Sequence, residues 1–236
     1  PVRVEVERGV NLLLDPGDLV GREILTAGVW QQEVWQSISD GLSAGAVFLD
    51  VGAHIGYDSL KGSVRVGEGG KVISFEPNPR TLEQLRANIV ASHAANVIVE
   101  PIACTDSEQK MLTLFDSTFQ GNSGASSLAL GNADELQKGN VPSYAVRGRP
   151  IDHVVAELGL QRVDVVKVDV EGAEYLVLLG LRETLRRFHP KVVMEVVPHH
   201  LANMHATVED LIALMKELGY GPHKQVDDTD WEWTFK

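Results

Sequence analysis

Hydrophobic and polar positions follow two rhythms along this chain, and the changes of rhythm mark its elements. Residues 2–7 alternate apolar and charged side chains, Gly9 interrupts, and residues 11–14 resume, a period-two pattern that predicts a β-hairpin. Asp15-Pro16-Gly17-Asp18 reads as a turn, and residues 18–25 and 32–38 as short helices. From residue 46 onward, continuous apolar runs alternate with helical stripes. The runs at 46–51, 72–75, 97–103, 163–170 and 191–197 have the character of strands buried on both faces. Helices are predicted between them. Residues 57–66 follow the first strand, and Asn78 with Pro79 forms an N-cap and first-turn proline ahead of the stripe Leu82, Leu85 and Ile89. Asp152 is expected to cap a helix running to Leu158, which Gly159 ends, and residues 172–179 make a buried helix. Thr207 with Asp210 makes a capping box before the stripe of the last long helix, which Gly219 closes. Residues 220–226 and 231–235 supply a closing hairpin with one antiparallel strand. The alternation gives an α/β class: a doubly wound, Rossmann-like, mostly parallel sheet of seven strands, preceded at 1–45 by a hairpin and helical extension.

One segment breaks the alternation. Residues 107–149 hold two candidate short strands, 111–115 and 144–147, and residues 119–140 are rich in glycine, serine and asparagine. So long a polar excursion inside a compact domain reads as a lid over a site, with a disordered insertion as the alternative. The whole chain, 236 residues with 44% apolar content, suits one domain with a sizeable core. Acidic residues outnumber basic ones, 33 to 21, for a net charge of −12, which disfavours nucleic acid and anionic membranes as partners. No apolar run approaches the ~18 residues of a membrane span and no leader pattern opens the sequence, so a cytoplasmic protein is expected. Cys104 is the only cysteine, which removes an intrachain disulfide and a cysteine-based metal site, and no resident metal is expected.

The chemistry starts at AVFLDVGAHIG, residues 46–56. A buried strand there ends in Asp50 and opens, through Gly52 and Gly56, into a helix whose free N–H groups favour an anion or a polar ligand. The spacing is not GxGxxG, and that points to a nucleoside without a pyrophosphate. At KVISFEPNP, residues 71–79, the second strand ends in Glu76, 24 positions after Gly52, where doubly wound sheets hold a ribose through its hydroxyls. The fourth strand carries Lys167, Asp169 and Glu171 at period two, and charges in so apolar a run need partners. Lys167 paired with Asp169 or with Glu195 would satisfy that need. Asp169, nearer the strand's C-terminal end, is placed to face a ligand.

These stretches, with VDVVKVDVEGAEYLVLLG and VVMEVVPHH further on, resemble the FkbM branch of the S-adenosylmethionine-dependent methyltransferases from about Asp18 to Gly219. The resemblance implies a class I methyltransferase sheet, S-adenosylmethionine as cofactor and a small-molecule acceptor, most naturally a hydroxyl on a sugar or natural product. It implies a cofactor site drawn from Asp50, Gly52, His54, Gly56, Glu76, Pro77, Asn78 and Asp169, with Trp30 and Glu33 from the N-terminal extension covering the methionine end. The loop of Cys104 and Asp106 would meet the purine, Asp106 accepting from its amino group. GNSGASSL, residues 121–128, resembles a serine-bearing segment of the family and reads as the active-site cover. Two departures stand out: His54 replaces the usual asparagine, and Val197 replaces the histidine of Glu-x-His-Pro. The proton acceptor then falls to His199 or His200, with Glu195 and Asp169 as further catalytic candidates. An NAD-dependent oxidoreductase and a silent nucleoside-binding module are the alternatives that the same residues leave open.

Overall fold

The structure, a computed structural model, describes residues 1–118, 121–134 and 141–236. The expected lid segment therefore falls partly outside the described residues, at 119, 120 and 135–140. The chain opens with the hairpin β1 (Val2–Glu7) and β2 (Val10–Leu14), an antiparallel pair that buries Val10, Leu12 and Leu14. Helix α1 (Leu19–Ala27) begins at Asp18, whose carboxylate accepts from the Val20 and Gly21 amides, and α2 (Gln32–Asp40) follows.

The apolar runs become the strands of one sheet. In order come β3 (Val47–Val51), α3 (Tyr57–Val66), β4 (Lys71–Phe75), α4 (Pro79–Ala91) and β5 (Val97–Glu100). The expected third strand, 97–103, is cut short. Pro101 has no N–H to continue the ladder, and the chain leaves for a second sheet as β6 (Ala103–Cys104). There β6 pairs in parallel with β8 (Ser143–Arg149), which is antiparallel to β7 (Gln109–Phe115), and the short helix α5 (Leu130–Ala133) lies between β7 and β8 in sequence.

Then follow α6 (Ile151–Glu157), β9 (Val165–Val168), α7 (Glu174–Leu179), α8 (Arg182–Phe188), β10 (Lys191–Glu195), α9 (Pro198–Asn203), α10 (Val208–Glu217), β11 (Lys224–Gln225) and β12 (Asp230–Trp233). The main sheet runs β11-β12-β10-β9-β3-β4-β5, with β12 antiparallel to both neighbours and β10, β9, β3, β4 and β5 parallel. Alternate strand residues go to opposite faces. Phe48, Val72, Val165 and Val193 pack with α2, while Leu49, Ile73, Val166 and Met194 join the larger core under α6, α7, α8 and α10.

Three expectations need correcting. Asp152 does not cap its own helix: Pro150 occupies the N-cap of α6, and the Asp152 carboxylate accepts instead from the Glu183 and Thr184 amides and the Thr184 hydroxyl, so it caps α8. The fourth strand is shorter than 163–170, because Glu171 (φ 55) and Gly172 (φ 107) turn the chain into left-handed conformations. The helix after it starts at Glu174, not at 172. The capping box of Thr207 and Asp210 forms in both directions at the start of α10.

Candidate active site

The C-terminal tips of β3, β4, β9 and β10 open into one cleft of about 1210 Å³, its open mouth included.

The floor of the cleft is Gly52. Its φ is 86°, and a Cβ there would lie 1.7 Å from the Asp169 carbonyl oxygen, so only glycine lets β3 and the end of β9 pass this closely. His54, two residues on, also has a left-handed backbone (φ 50), a region that asparagine and histidine enter more readily than most residues. That explains why histidine fits where the family usually has asparagine. The His54 amide donates to Glu76 at 2.9 Å, and its ring shares a 2.6 Å hydrogen bond with the Ser123 hydroxyl. Burial drives the His54 ring pKa down to about 4, so the imidazole is neutral at pH 7.

Glu76 closes the β4 side. Its second oxygen accepts from the Asn78 amide at 2.8 Å, and burial raises its pKa to about 7 against the pull of those two amides. Phe75, Pro77, Ile102, Ala103 and Cys104 continue this wall as a mostly apolar slot. Above it, Trp30 lines the cleft and donates its amide to the Tyr57 hydroxyl. Residues 121–128 lie over the cleft: the Gly121 carbonyl accepts from the Leu19 amide, the Ser123 amide donates to Asp18, and Asn78 donates to Asp116 and to Ser126. Asn122, Ser123, Gly124, Ser126 and Leu128 line the cleft directly.

Opposite this wall the cleft is acidic. Lys167, only 6% exposed, bridges Asp58 and Asp169 at 3.2 Å each. Burial alone would lower its pKa, but Asp169, Asp58 and Asp50 outweigh that and hold the ammonium well above its ordinary value. Of the two pairings left open by the sequence, the structure has Lys167–Asp169, and Glu195 does not take part. Asp58, in the first turn of α3, was not anticipated, although an unmatched lysine in an apolar strand signals that some carboxylate must meet it. Glu171 and Glu195 complete the acidic side. Burial and the neighbouring Asp169, Glu171, Glu174 and Asp230 push the Glu195 carboxyl well above the usual range.

Several expected site residues lie elsewhere. Asp50 is fully buried behind the floor, accepting from the Ser59 hydroxyl, with burial raising its pKa to about 6. Gly56 and Asn78 are the N-caps of α3 and α4, outside the lining. Glu33 and Asp106 are exposed and away from the cleft, and Asp106 accepts from Ser107. His199 is exposed, and His200 is buried under α9 with its Nδ1 3.2 Å from Glu171, so neither imidazole lines the cleft. The neighbouring backbone holds Glu171 in place: its carbonyl accepts from Ser127 and Asn132, and a Cβ on Gly172 would meet the His200 carbonyl at 2.6 Å.

The chain matches the family described as Methyltransferase FkbM domain over residues 50–222. It is similar to the AMB antimetabolite synthetase AmbE of Pseudomonas aeruginosa, 32% identical across 80% of this chain and 10% of that protein. It is also similar to the 2-O-methyltransferase NoeI of Sinorhizobium fredii, 25% identical across 60% of this chain and 59% of that one. It thus spans a tenth of the first relative's length and under two thirds of the second's. The crystal structure of methyltransferase FkbM from Methylobacillus flagellatus shares the fold, with a TM-score of 0.52 at 17% identity over 93% of this chain and 60% of that one. Because the matched stretch begins at the Asp50 strand tip and runs past the β10 tip, it takes in the floor and both walls of the cleft, and this chain belongs to the FkbM methyltransferase family.

Proposed function

We propose that the chain transfers the methyl group of S-adenosylmethionine to a hydroxyl oxygen of a small molecule, a sugar or natural product. The observation that carries this reading is the two-sided cleft: one buried carboxylate, Glu76, on a mostly apolar wall, facing the carboxylates Asp169, Glu171 and Glu195 across the floor at Gly52.

The residues fit the cofactor. Glu76 already takes two backbone amides, and a ribose would offer its carboxylate two further donors and offset the burial that now raises its pKa. The slot along Phe75, Pro77, Ile102 and Cys104 suits a purine. S-adenosylmethionine supplies an electrophilic methyl carbon. The protein's task is to hold an acceptor oxygen in line with that carbon, within about 3–3.5 Å, and to exclude water. Residues 121–128 provide the exclusion. One of the three carboxylates on the acidic side would take the hydroxyl proton of the acceptor as its oxygen is methylated. An oxygen acceptor suits this side because it needs such a base, and the similarity to a protein named as a 2-O-methyltransferase supports the same choice. His200, behind Glu171, touches no acceptor. It orients that carboxylate.

Calorimetry with S-adenosylmethionine tests the placement. Glu76→Ala should weaken binding roughly 10- to 150-fold, as expected for loss of about 1.5–3 kcal/mol of charge-assisted hydrogen bonding. An unchanged dissociation constant would move the ribose elsewhere.

A further inference from the structure

Behind the acidic wall, three side chains from three elements converge. Glu171 comes from the loop after β9, Glu195 from the end of β10 and His200 from α9, and one donor atom from each lies within 4.8 Å of the other two. The cluster mixes carboxylate oxygens with an imidazole nitrogen, and it is enclosed: His200 is 5% exposed, and both glutamates are partly buried. Glu171 and Glu195 line the cleft, so any ion held among the three would have an open side toward the ligands.

The charges around the cluster do not balance. Asp169, Glu174 and Asp230 crowd Glu195 together with Glu171, and the nearby lysine, Lys167, is engaged by Asp58 and Asp169. No hydrogen bond or ion pair satisfies the Glu195 carboxylate among the described residues. A carboxylate left this way at a cleft wall is costly, and a divalent cation would meet that cost directly. Bonds of ~2.1 Å place ligand atoms about 3–4.2 Å apart, so donors separated by up to 4.8 Å would draw together by roughly 0.6 Å or more on binding an ion. His200 Nδ1 lies 3.2 Å from a Glu171 carboxylate oxygen, so two of the three prospective ligands already adjoin.

We infer that Glu171, Glu195 and His200 form a site for a divalent first-row cation, Mn²⁺ by preference, whose open coordination positions receive the acceptor's oxygen. Two carboxylates favour a hard ion, and the imidazole favours a transition metal over Mg²⁺. The inference rests on the methyltransferase reading above and deepens it. A cation-bound hydroxyl is more acidic, so Asp169, the remaining carboxylate on this wall, can take up its proton. The acceptor class then narrows to molecules with an oxygen that chelates or ligates, such as a vicinal diol or an α-hydroxy acid.

The test titrates Mn²⁺ into the full chain, followed by calorimetry and by the loss of the free Mn²⁺ electron-paramagnetic-resonance signal, with S-adenosylmethionine binding measured in parallel. The expected result is one Mn²⁺ per chain at micromolar affinity. Glu195→Gln and His200→Gln should each weaken Mn²⁺ at least tenfold and leave S-adenosylmethionine affinity within about twofold. Wild-type protein that binds S-adenosylmethionine but takes up no Mn²⁺, Mg²⁺ or Zn²⁺ at millimolar concentration would overturn the inference and leave the methyltransferase reading standing. Mn²⁺ uptake unaltered in both variants would overturn it too. Should a variant not fold, as thermal melting would show, the wild-type titration alone decides. Absent S-adenosylmethionine binding would instead count against the function proposed above.

Discussion

The two ends of the cleft are made differently. At the β3–β4 end the ligand would meet a glycine floor and a single carboxylate that two backbone amides hold in place, all drawn from residues 52–78. At the β9–β10 end it would meet carboxylates whose behaviour depends on one another and on partners as far away in sequence as Asp58 and Asp230. A site made from backbone is fixed once its two strands pair, because their tips have nowhere else to go. A site made from interacting side chains exists only after several elements have packed, and one changed charge alters all of it.

Breaking the backbone end at its floor should have the largest effect. Gly52→Ala adds a Cβ 1.7 Å from the Asp169 carbonyl at a left-handed residue, and a loss of about 3–5 kcal/mol is expected, seen as a melting point lower by roughly 10 °C. Gly45→Ala, equally left-handed (φ 80) with nothing within 4 Å, should cost only about 1 kcal/mol. Equal losses for the two would mean that the close approach at the floor is not what matters there.

Next comes pH. The Glu76 carboxyl, raised to about 7, must ionise to accept from ribose hydroxyls, so S-adenosylmethionine affinity should weaken about tenfold from pH 8 to pH 6 and level off above pH 8. In the free protein the sign is opposite. The folded state holds this proton more tightly than the unfolded one, so the group's contribution to stability is complete below about pH 4.5 and is lost as pH rises through about 7. A binding profile flat between pH 6 and 8 would show that Glu76 ionises below that window or does not meet the ribose.

The smallest effect concerns the segment that spans both ends. Ser123→Ala removes the hydrogen bond to His54 and should cost about 1 kcal/mol, read as an approximately fivefold faster amide exchange across residues 121–128. If exchange does not change, the contacts from Asp18 and Asn78 hold the segment without Ser123.

The same contrast explains what the sequence discloses. The glycine floor, Glu76, the Asn78 cap and the capping box at Thr207 are local patterns, and each lies where its spacing puts it. Asp152 shows the limit: its position announces an N-cap, but spacing does not say which helix, and α8, some thirty residues on, presents its amides to it. His199 and His200 read as a surface pair or a base, yet α9 leaves His199 exposed and buries His200 against Glu171, with the two rings edge to face at 4.4 Å. Asp50 carries the right residue type at the right strand tip but points inward to Ser59, a matter of one step in strand parity. The run 97–103 reads as one strand, but it ends at Glu100 before Pro101, and Ala103 and Cys104 join another sheet, a change of partner that an apolar run does not signal.

The order of strands has a consequence for how the protein avoids joining itself to others. β10 carries Val192, Val193 and Met194, all fully buried, and its outer side pairs with β12, which follows every other strand in chain order. Beyond β12 the sheet ends in β11, two exposed residues beginning with Lys224, which is short and charged and offers little to a second chain. Until residues 230–233 arrive, the growing sheet presents a flat apolar edge of three unbroken residues, the form of strand most prone to pair with a neighbour. Any truncation or fraying ahead of Asp230 would therefore surface first as aggregation, well before the cleft itself lost its shape.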